Sequence, residues 1–532
     1  MIPQMRLQVV FCRTHSKNHK GTSVKTVMNL LCPWQSLAIS VLSMLACCGS
    51  ACAYVGLATP FGDHMVLQRE MPVPVWGTAD AGEQVSVSFA RQTKTAVADK
   101  NGAWSVKLDP LEASATGRDL VVQGKDKLQL HDVLVGEVWV CSGQSNMGVS
   151  LDRIVLRSEA GATLKREAAD RRDQALAAKT PEIRVFRSGT GADPRLGKWA
   201  VCGPEALKGD LPQMGFSAVG YFFSCELHAE LKVPIGAVEA AVGGSHIETW
   251  MPPATYAALP AASKTEATSQ PKGLGTNYHE QVEPLEPMAV RGILWYQGEQ
   301  NLMHDANGPR YADKMEAMIL SWRAAWKRPE LPFYYVQLPQ YTYTKKAPQN
   351  DTAESLPYFR EGQARALRLP HTGMVVTSDL VDDASELHPP DKWDVAHRLV
   401  LLALSKTYGH GDLVCSGPVF KSVEIRGDKA VLSFDHVGGG LVKKGDMALS
   451  AFVIAGADQK FVPANASIEG DKVIVSSPSV PNPVAVRFTW TESAVPNLFN
   501  AEGLPAAPFR TDSEPITEPA AGEKPAKHKA KK

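Results

Sequence analysis

The sequence predicts an α/β protein, a three-layer domain on a parallel sheet with a small β-rich domain on either side. Two observations carry this expectation. Between residues 135 and 410 short apolar runs alternate with amphipathic helical patterns, as in parallel sheets covered on both faces. Before and after that stretch the pattern is of short strands with period-two alternation and glycine turns. The chain has 532 residues, too many for a single core, and its 44% apolar and 21% charged content is that of a soluble globular protein. Lys+Arg and Asp+Glu balance at 56 each, so nothing favours nucleic acid as a partner.

Residues 1–53 read as an export leader. An apolar stretch after Met28, too short for a stable membrane span, closes on Ala51-Cys52-Ala53, an A-x-A cleavage pattern. The mature chain is then expected to start near Tyr54 and to be exported, to a periplasm or outside the cell. Of nine cysteines, Cys141, Cys202, Cys225 and Cys415 lie beyond the leader. Exported proteins can pair such residues, and buried thiols suit a core of this size equally well. With no C-x-x-C and no H-E-x-x-H, no metal or other cofactor is expected.

Residues 54–134 form the predicted N-terminal β domain. Glu83-Gln-Val85-Ser-Val87-Ser-Phe89 alternates cleanly, and Asn101-Gly102 predicts a tight hairpin turn before Ala103-Trp104-Ser-Val106. In the predicted α/β domain, residues 135–410, strands fall at Glu137–Cys141, Ile183–Phe186, Ile235–Val242, Gly292–Tyr296, Phe333–Leu338 and Met374–Thr377. The helices between them carry apolar faces. One aligns Phe216, Val219, Phe223 and Leu227, another Met315, Met318, Ile319, Trp322 and Trp326, and a third Ala396, Leu399, Val400 and Ala403. Residues 411–511 return to a β pattern around Arg-Gly-Asp and Glu-Gly-Asp turns. The Pro- and Lys-rich tail, 512–532, is expected to be disordered.

Three strand ends carry chemistry. WVCSGQSNM, Trp139 to Met147, stops abruptly at Ser145; GILWYQGEQN, Gly292 to Asn301, ends in Gln297 and Glu299; LHPPDK places His388 in a loop before an amphipathic helix. Open α/β sheets bind ligands outside the carboxyl ends of their strands, and a serine there needs a base to become a nucleophile. Ser, Gln/Glu and His at such ends suggest a serine hydrolase.

SGQSNM, AAVGGSHIETW (Ala240 to Trp250), WYQGEQN and LHPPDK resemble blocks I, II, III and V of the SGNH/GDSL esterases, and more closely their sialate O-acetylesterase branch. HMVLQREMPVPVWGTADAGE (His64 to Glu83), FSAVGYFF, VPIGAVEAAVGG and LPFYYVQLPQY extend the likeness. The resemblance implies a flavodoxin-like αβα sheet and hydrolysis of O-acetyl esters on a sugar, sialic acid foremost. An esterase for plant polysaccharide such as acetylxylan is the alternative substrate reading, and a glycan-binding protein without activity is the rival from another class. The resemblance also implies roles. Ser145 would be the nucleophile and His388 its base, with the backbone N–H groups of Ser145 and Gly244 and the Gln297 side chain as the oxyanion hole. Asn301, Trp250 and Tyr296 would touch the sugar. The chain departs from the family's D-x-x-H, because Ser385 stands three residues before His388. A carboxylate orienting His388 would then be Glu299, Glu386, Asp382 or Asp383, and a Ser–His pair assisted by a backbone carbonyl is the alternative. Glu299 is favoured, since it ends a strand and related acetylesterases use that glutamate. A second departure is NYHEQVEPL, where His279 replaces the branch's usual asparagine.

Overall fold

The alternating apolar runs become a mixed sheet in the computed structural model. It describes residues 54–512, apart from 157–161, 190–192, 194, 209–214, 265–270, 306 and 347–351. The expected leader and all but the first residue of the expected tail lie outside the described residues.

Seven strands make the functional end of the sheet. In chain order they are β1 (Lys127–Gly143), β2 (Ile183–Arg187), β3 (Trp199–Val201), β4 (Ile235–Ala241), β5 (Gly292–Tyr296), β6 (Phe333–Val336) and β7 (Thr372–Val375). Their spatial order is β3-β2-β4-β1-β5-β6-β7. Every pairing is parallel except that of the short edge strand β3 with β2. The chain leaves β1 toward one side of the sheet and β5 toward the other. The adjacent ends of β1 and β5 therefore form the crevice where such sheets bind ligands.

The helices that bear on the site and the sheet faces are α1 (Ser145–Gly148), α2 (Ala218–Leu231), α3 (Glu299–His304), α4 (Gly308–Ala325), α5 (Ser355–Arg365) and α6 (Trp393–Lys406). Successive β1 side chains point to opposite faces. Trp139 and Cys141 pack with Val219, Phe223 and Leu227 of α2 and with Leu399, Val400 and Ala403 of α6. Val138 and Val140 belong to the opposite core with Met315, Met318, Ile319 and Trp322 of α4 and Phe359 of α5. The apolar stripes read from the sequence are thus the faces that meet the sheet. Phe216 is the exception: it precedes α2 and packs with Ile183 and Val185 near the sheet edge.

Residue 134, the expected end of the N-terminal β domain, lies inside β1. This 17-residue strand pairs along its first half with Ser114–Gln123 and Val66–Gln68, and along its second with β4 and β5. The strand runs across that expected boundary without a break because residues 133–143 are all buried, covered on both faces. The turn at Asn101-Gly102 forms, with Gly102 at φ 81° and its N–H donating to Asp99 O. It is not a hairpin, however, because Gln92–Val97 pairs with Gln84–Phe89 while Ala103–Leu108 pairs with Val73–Thr78. The two glycine turns expected near the C-terminus are hairpins. Val419–Arg426 pairs with Lys429–Asp435 across Gly427-Asp428, and Asn465–Glu469 with Lys472–Ser476 across Gly470-Asp471. Together with Phe452–Ala455 and Ala485–Phe488 these strands enclose a core of their own, including Leu432, Ile454, Val473 and Phe488.

All four described cysteines are thiols. Among the described residues no helix is long and apolar enough to cross a membrane, and no group of three or more His, Cys, Asp or Glu is arranged to hold a metal ion.

Candidate active site

Ser145 opens α1 two residues after β1 ends, so the polar run GQSN sits where the strand leaves the sheet. Gly143 makes the bend possible. Its φ is 134°, and a Cβ there would stand 2.2 Å from the carbonyl oxygen of Tyr296 on β5. Gly143→Ala is expected to cost about 3 kcal/mol from backbone strain and overpacking, measured as loss of unfolding free energy in denaturant. Gln144 supports the turn from below. Its N–H donates to Tyr296 O at 3.0 Å, and its Oε1 accepts from the N–H groups of Gly298 and Gln300, both at 3.3 Å.

His388 arrives from the loop between β7 and α6. Its Nε2 lies 2.8 Å from Ser145 Oγ, within proton-sharing reach across 243 positions of sequence. Of the four carboxylates considered for orienting it, Glu386 is the one beside the imidazole, with Oε1 4.0 Å from Nδ1 and accepting the His388 N–H at 2.8 Å. Asp383 instead accepts the N–H of Ser385 at 2.8 Å, which holds its carboxyl below the usual range, and Asp382 is exposed.

The expectation for Glu299 is corrected. It is the first residue of α3, fully buried, and its Oε1 accepts from Asn146 Nδ2, while Oε2 has no hydrogen-bond partner. Burial pushes its carboxyl up, against the pull of Asn146 and of Lys392 nearby. Lys392, 0% exposed, donates to Asn146 Oδ1 at 2.8 Å, and its ammonium sits 5.3 Å from the centre of the Tyr296 ring. Burial brings its pKa down to about 8, opposed chiefly by Glu299.

The side chain expected to join the oxyanion hole is also engaged elsewhere. Both Nε2 protons of Gln297 are spoken for, by Ser245 O at 2.9 Å and Asn301 Oδ1 at 2.8 Å, and its Oε1 accepts from Tyr311 at 2.8 Å. A primary amide has two protons to give, so none remains for an oxyanion. Gly244 is different. It is exposed at φ 68°, a Cβ there would meet nothing within 4 Å, and among the described residues neither its N–H nor that of Ser145 has a protein acceptor.

The three residues expected to touch sugar are packed inside. Asn301, 3% exposed, accepts from the N–H of Ile247 at 2.8 Å and donates to Glu248 at 2.9 Å, stitching the loop after β4 to α3. Trp250, 0% exposed, donates to Ser245 Oγ and stands edge-on to Trp295. Tyr296 is buried on the α2 and α6 side of the sheet. Aromatic side chains of this size contribute more as core than at a wet rim, and here the core claims them.

Three residues escaped the sequence reading: Gln144, Asn146 and Lys392. Their only signal was polar character in GQSN and LHPPDK at positions without a packing role.

Beneath α1, Ser217 Oγ donates to Met147 O at 2.5 Å while the Ser217 N–H donates to Glu239 at 2.7 Å. Burial pushes the Glu239 carboxyl up to about 7, only partly opposed by Arg187 and the Ser217 N–H. A carboxyl whose pKa is higher folded than unfolded favours the folded state most when both forms are protonated. That contribution is lost as pH rises from the ordinary 4.5 through about 7. Glu239→Gln is expected to flatten this decline, seen as a melting temperature that falls less than the wild type's between those pH values.

The profile of the family described as carbohydrate esterase, sialic acid-specific acetylesterase, matches residues 135–396. The sialate O-acetylesterase of Pongo abelii is 28% identical over 507 residues, covering 86% of this chain and 93% of its own length. That of Homo sapiens is 26% identical, over 85% and 91%. A solved carbohydrate acetylesterase from Xanthomonas citri is 39% identical, with a TM-score of 0.74, covering 87% of this chain and all of its own. The fold and the family together define a carboxylic ester hydrolase. The chain belongs to the sialic acid-specific acetylesterase family of carbohydrate esterases.

Proposed function

We propose that this enzyme is an exported serine esterase that removes O-acetyl groups from a sugar, sialic acid foremost, through an acetyl-serine intermediate. The observation that carries the reading is the 2.8 Å approach of His388 Nε2 to Ser145 Oγ. Ser145 Oγ attacks the acetyl carbon while its proton passes to His388 Nε2. The oxyanion accepts hydrogen bonds from the backbone N–H groups of Ser145 and Gly244. The tetrahedral species collapses, the C–O bond to the sugar breaks, and His388 returns the proton to the departing alcohol. Water then gives a proton to His388 and attacks the acetyl carbon, acetate leaves, and the serine regains its proton. Glu386 stabilises the imidazolium formed at both stages. The strand order β4-β1-β5-β6-β7, with helices on both faces, supports a flavodoxin-like three-layer SGNH domain extended by β2 and β3. The leader pattern at 51–53 supports export, and the separate C-terminal core supports a β domain from about residue 411.

A second substrate reading, a neutral acetylated polysaccharide, is favoured by the charges at the strand ends. A sialate carboxylate calls for an Arg or Lys clamp. Here Lys392 is given to Asn146, Lys314 to Glu248, Arg310 to Asp305 and Arg360 to Leu338 O. Acetate release from O-acetylated mucin sialate and from acetylated xylan decides between them. The sialate reading expects the mucin to be the better substrate by at least tenfold in kcat/KM, and the reverse ratio rejects it.

A further inference from the structure

We propose that Asn146 is a positioning residue: its side-chain amide ties the loop carrying His388 to the turn carrying Ser145, with buried Lys392 and Glu299 holding that amide in place. The proposal rests on the reading of Ser145 and His388 given above.

The argument begins with what surrounds the amide. Asn146 Nδ2 donates to Glu299 and, at 3.0 Å, to Leu387 O; Oδ1 accepts from Lys392 Nζ at 2.8 Å. An ammonium only donates, whereas a carboxylate and a peptide carbonyl only accept. All three partners therefore demand the same orientation of the amide. Asn146 and Lys392 are 0% exposed and Glu299 1%, so the bonds among these three are shielded from water, while the bond to Leu387 O is part-buried. A buried polar group of this kind is costly unless every partner is present, which gives the arrangement a single geometry.

Next comes where the bridge is anchored. Asn146 is joined by one peptide bond to Ser145, and Leu387 by one peptide bond to His388. The 3.0 Å bond between them thus clamps the two backbones immediately beside the reacting side chains. The β5 end contributes Glu299, and the first residue before α6 contributes Lys392, so three strand-end loops meet on one side chain. Its nearest substitutes in size or chemistry do not fit. Aspartate cannot donate to Glu299 or to the carbonyl, leucine offers neither donor nor acceptor, and glutamine is longer by one methylene. Loss of the clamp frees the imidazole to drift, and a displacement of about 1 Å from a near-attack geometry costs on the order of a hundredfold in rate.

The experiment is a double-mutant cycle on the full chain, with p-nitrophenyl acetate as substrate and thermal melting to verify folding. Asn146→Ala and Lys392→Met are each made in the wild type and in His388→Ala. In the wild-type background Asn146→Ala is expected to lower kcat about a hundredfold with KM within threefold, and Lys392→Met about tenfold. In the His388→Ala background both losses shrink below threefold, since a residue that acts by placing an imidazole does nothing once the imidazole is gone. Equal losses in the two backgrounds overturn the positioning role and leave the serine–histidine reading intact. Wild-type kcat in His388→Ala alone overturns that reading and the proposal with it. Should Asn146→Ala not fold, the Lys392→Met cycle gives the same decision.

Discussion

Ser145→Ala is expected to lower kcat by about 10⁴-fold or more while substrate binding changes little. Ser145 Oγ is the hydroxyl that the imidazole of His388 approaches at the end of β1, at 2.8 Å. Removing one oxygen from a side chain at the start of a short helix disturbs no core residue, so the folded state should persist with an unchanged melting temperature. Rates on a chromogenic acetyl ester, wild type against variant, check this. Equal rates would remove the nucleophile and with it the covalent intermediate. Trapping gives a second measurement: rapid acid quench of the wild type with acetyl ester should show an added acetyl group on Ser145, and none in the variant.

His388→Ala should fall by a similar factor, because the serine hydroxyl then has no base and the sugar alcohol no acid. The sign of the pH dependence follows from the same bond. An imidazole that carries a proton on Nε2 cannot accept one from Ser145 Oγ. On the acid side, kcat/KM should therefore drop tenfold for each pH unit once His388 protonates, and it should plateau above. Glu386→Gln is expected to shift this limb toward lower pH, since an amide 4.0 Å from Nδ1 no longer favours the imidazolium. A rate that rises as the pH falls through the limb would reject His388 as the base.

Much of this was legible in the chain itself. The α2, α4 and α6 faces followed from helical periodicity, and the strand ends from apolar runs that stop at polar residues. These are local properties, and burial in the finished sheet repeats them. The two hairpins at Gly427 and Gly470 were legible for a similar reason, a glycine at positive φ between two alternating runs. The hairpin at Gly102 was not. Its turn chemistry is identical in kind, and only the competition between sheets sends its two strands to different partners.

The site residues divide along the same line. The sequence by itself determined that a serine and a histidine stand at carboxyl ends of strands in one sheet, because strand endings are written in local apolar pattern. Only the tertiary structure decided which polar groups around them are already engaged: Gln297 with Ser245 and Asn301, Glu299 with Asn146, Trp250 and Tyr296 with the core, and Glu386 rather than Glu299 beside the imidazole. Hydrogen-bond satisfaction belongs to pairs; Asn146 pairs with Glu299 across 153 positions and with Lys392 across 246, and even near neighbours such as Gln297 and Asn301 meet only once the surrounding strand ends are in place.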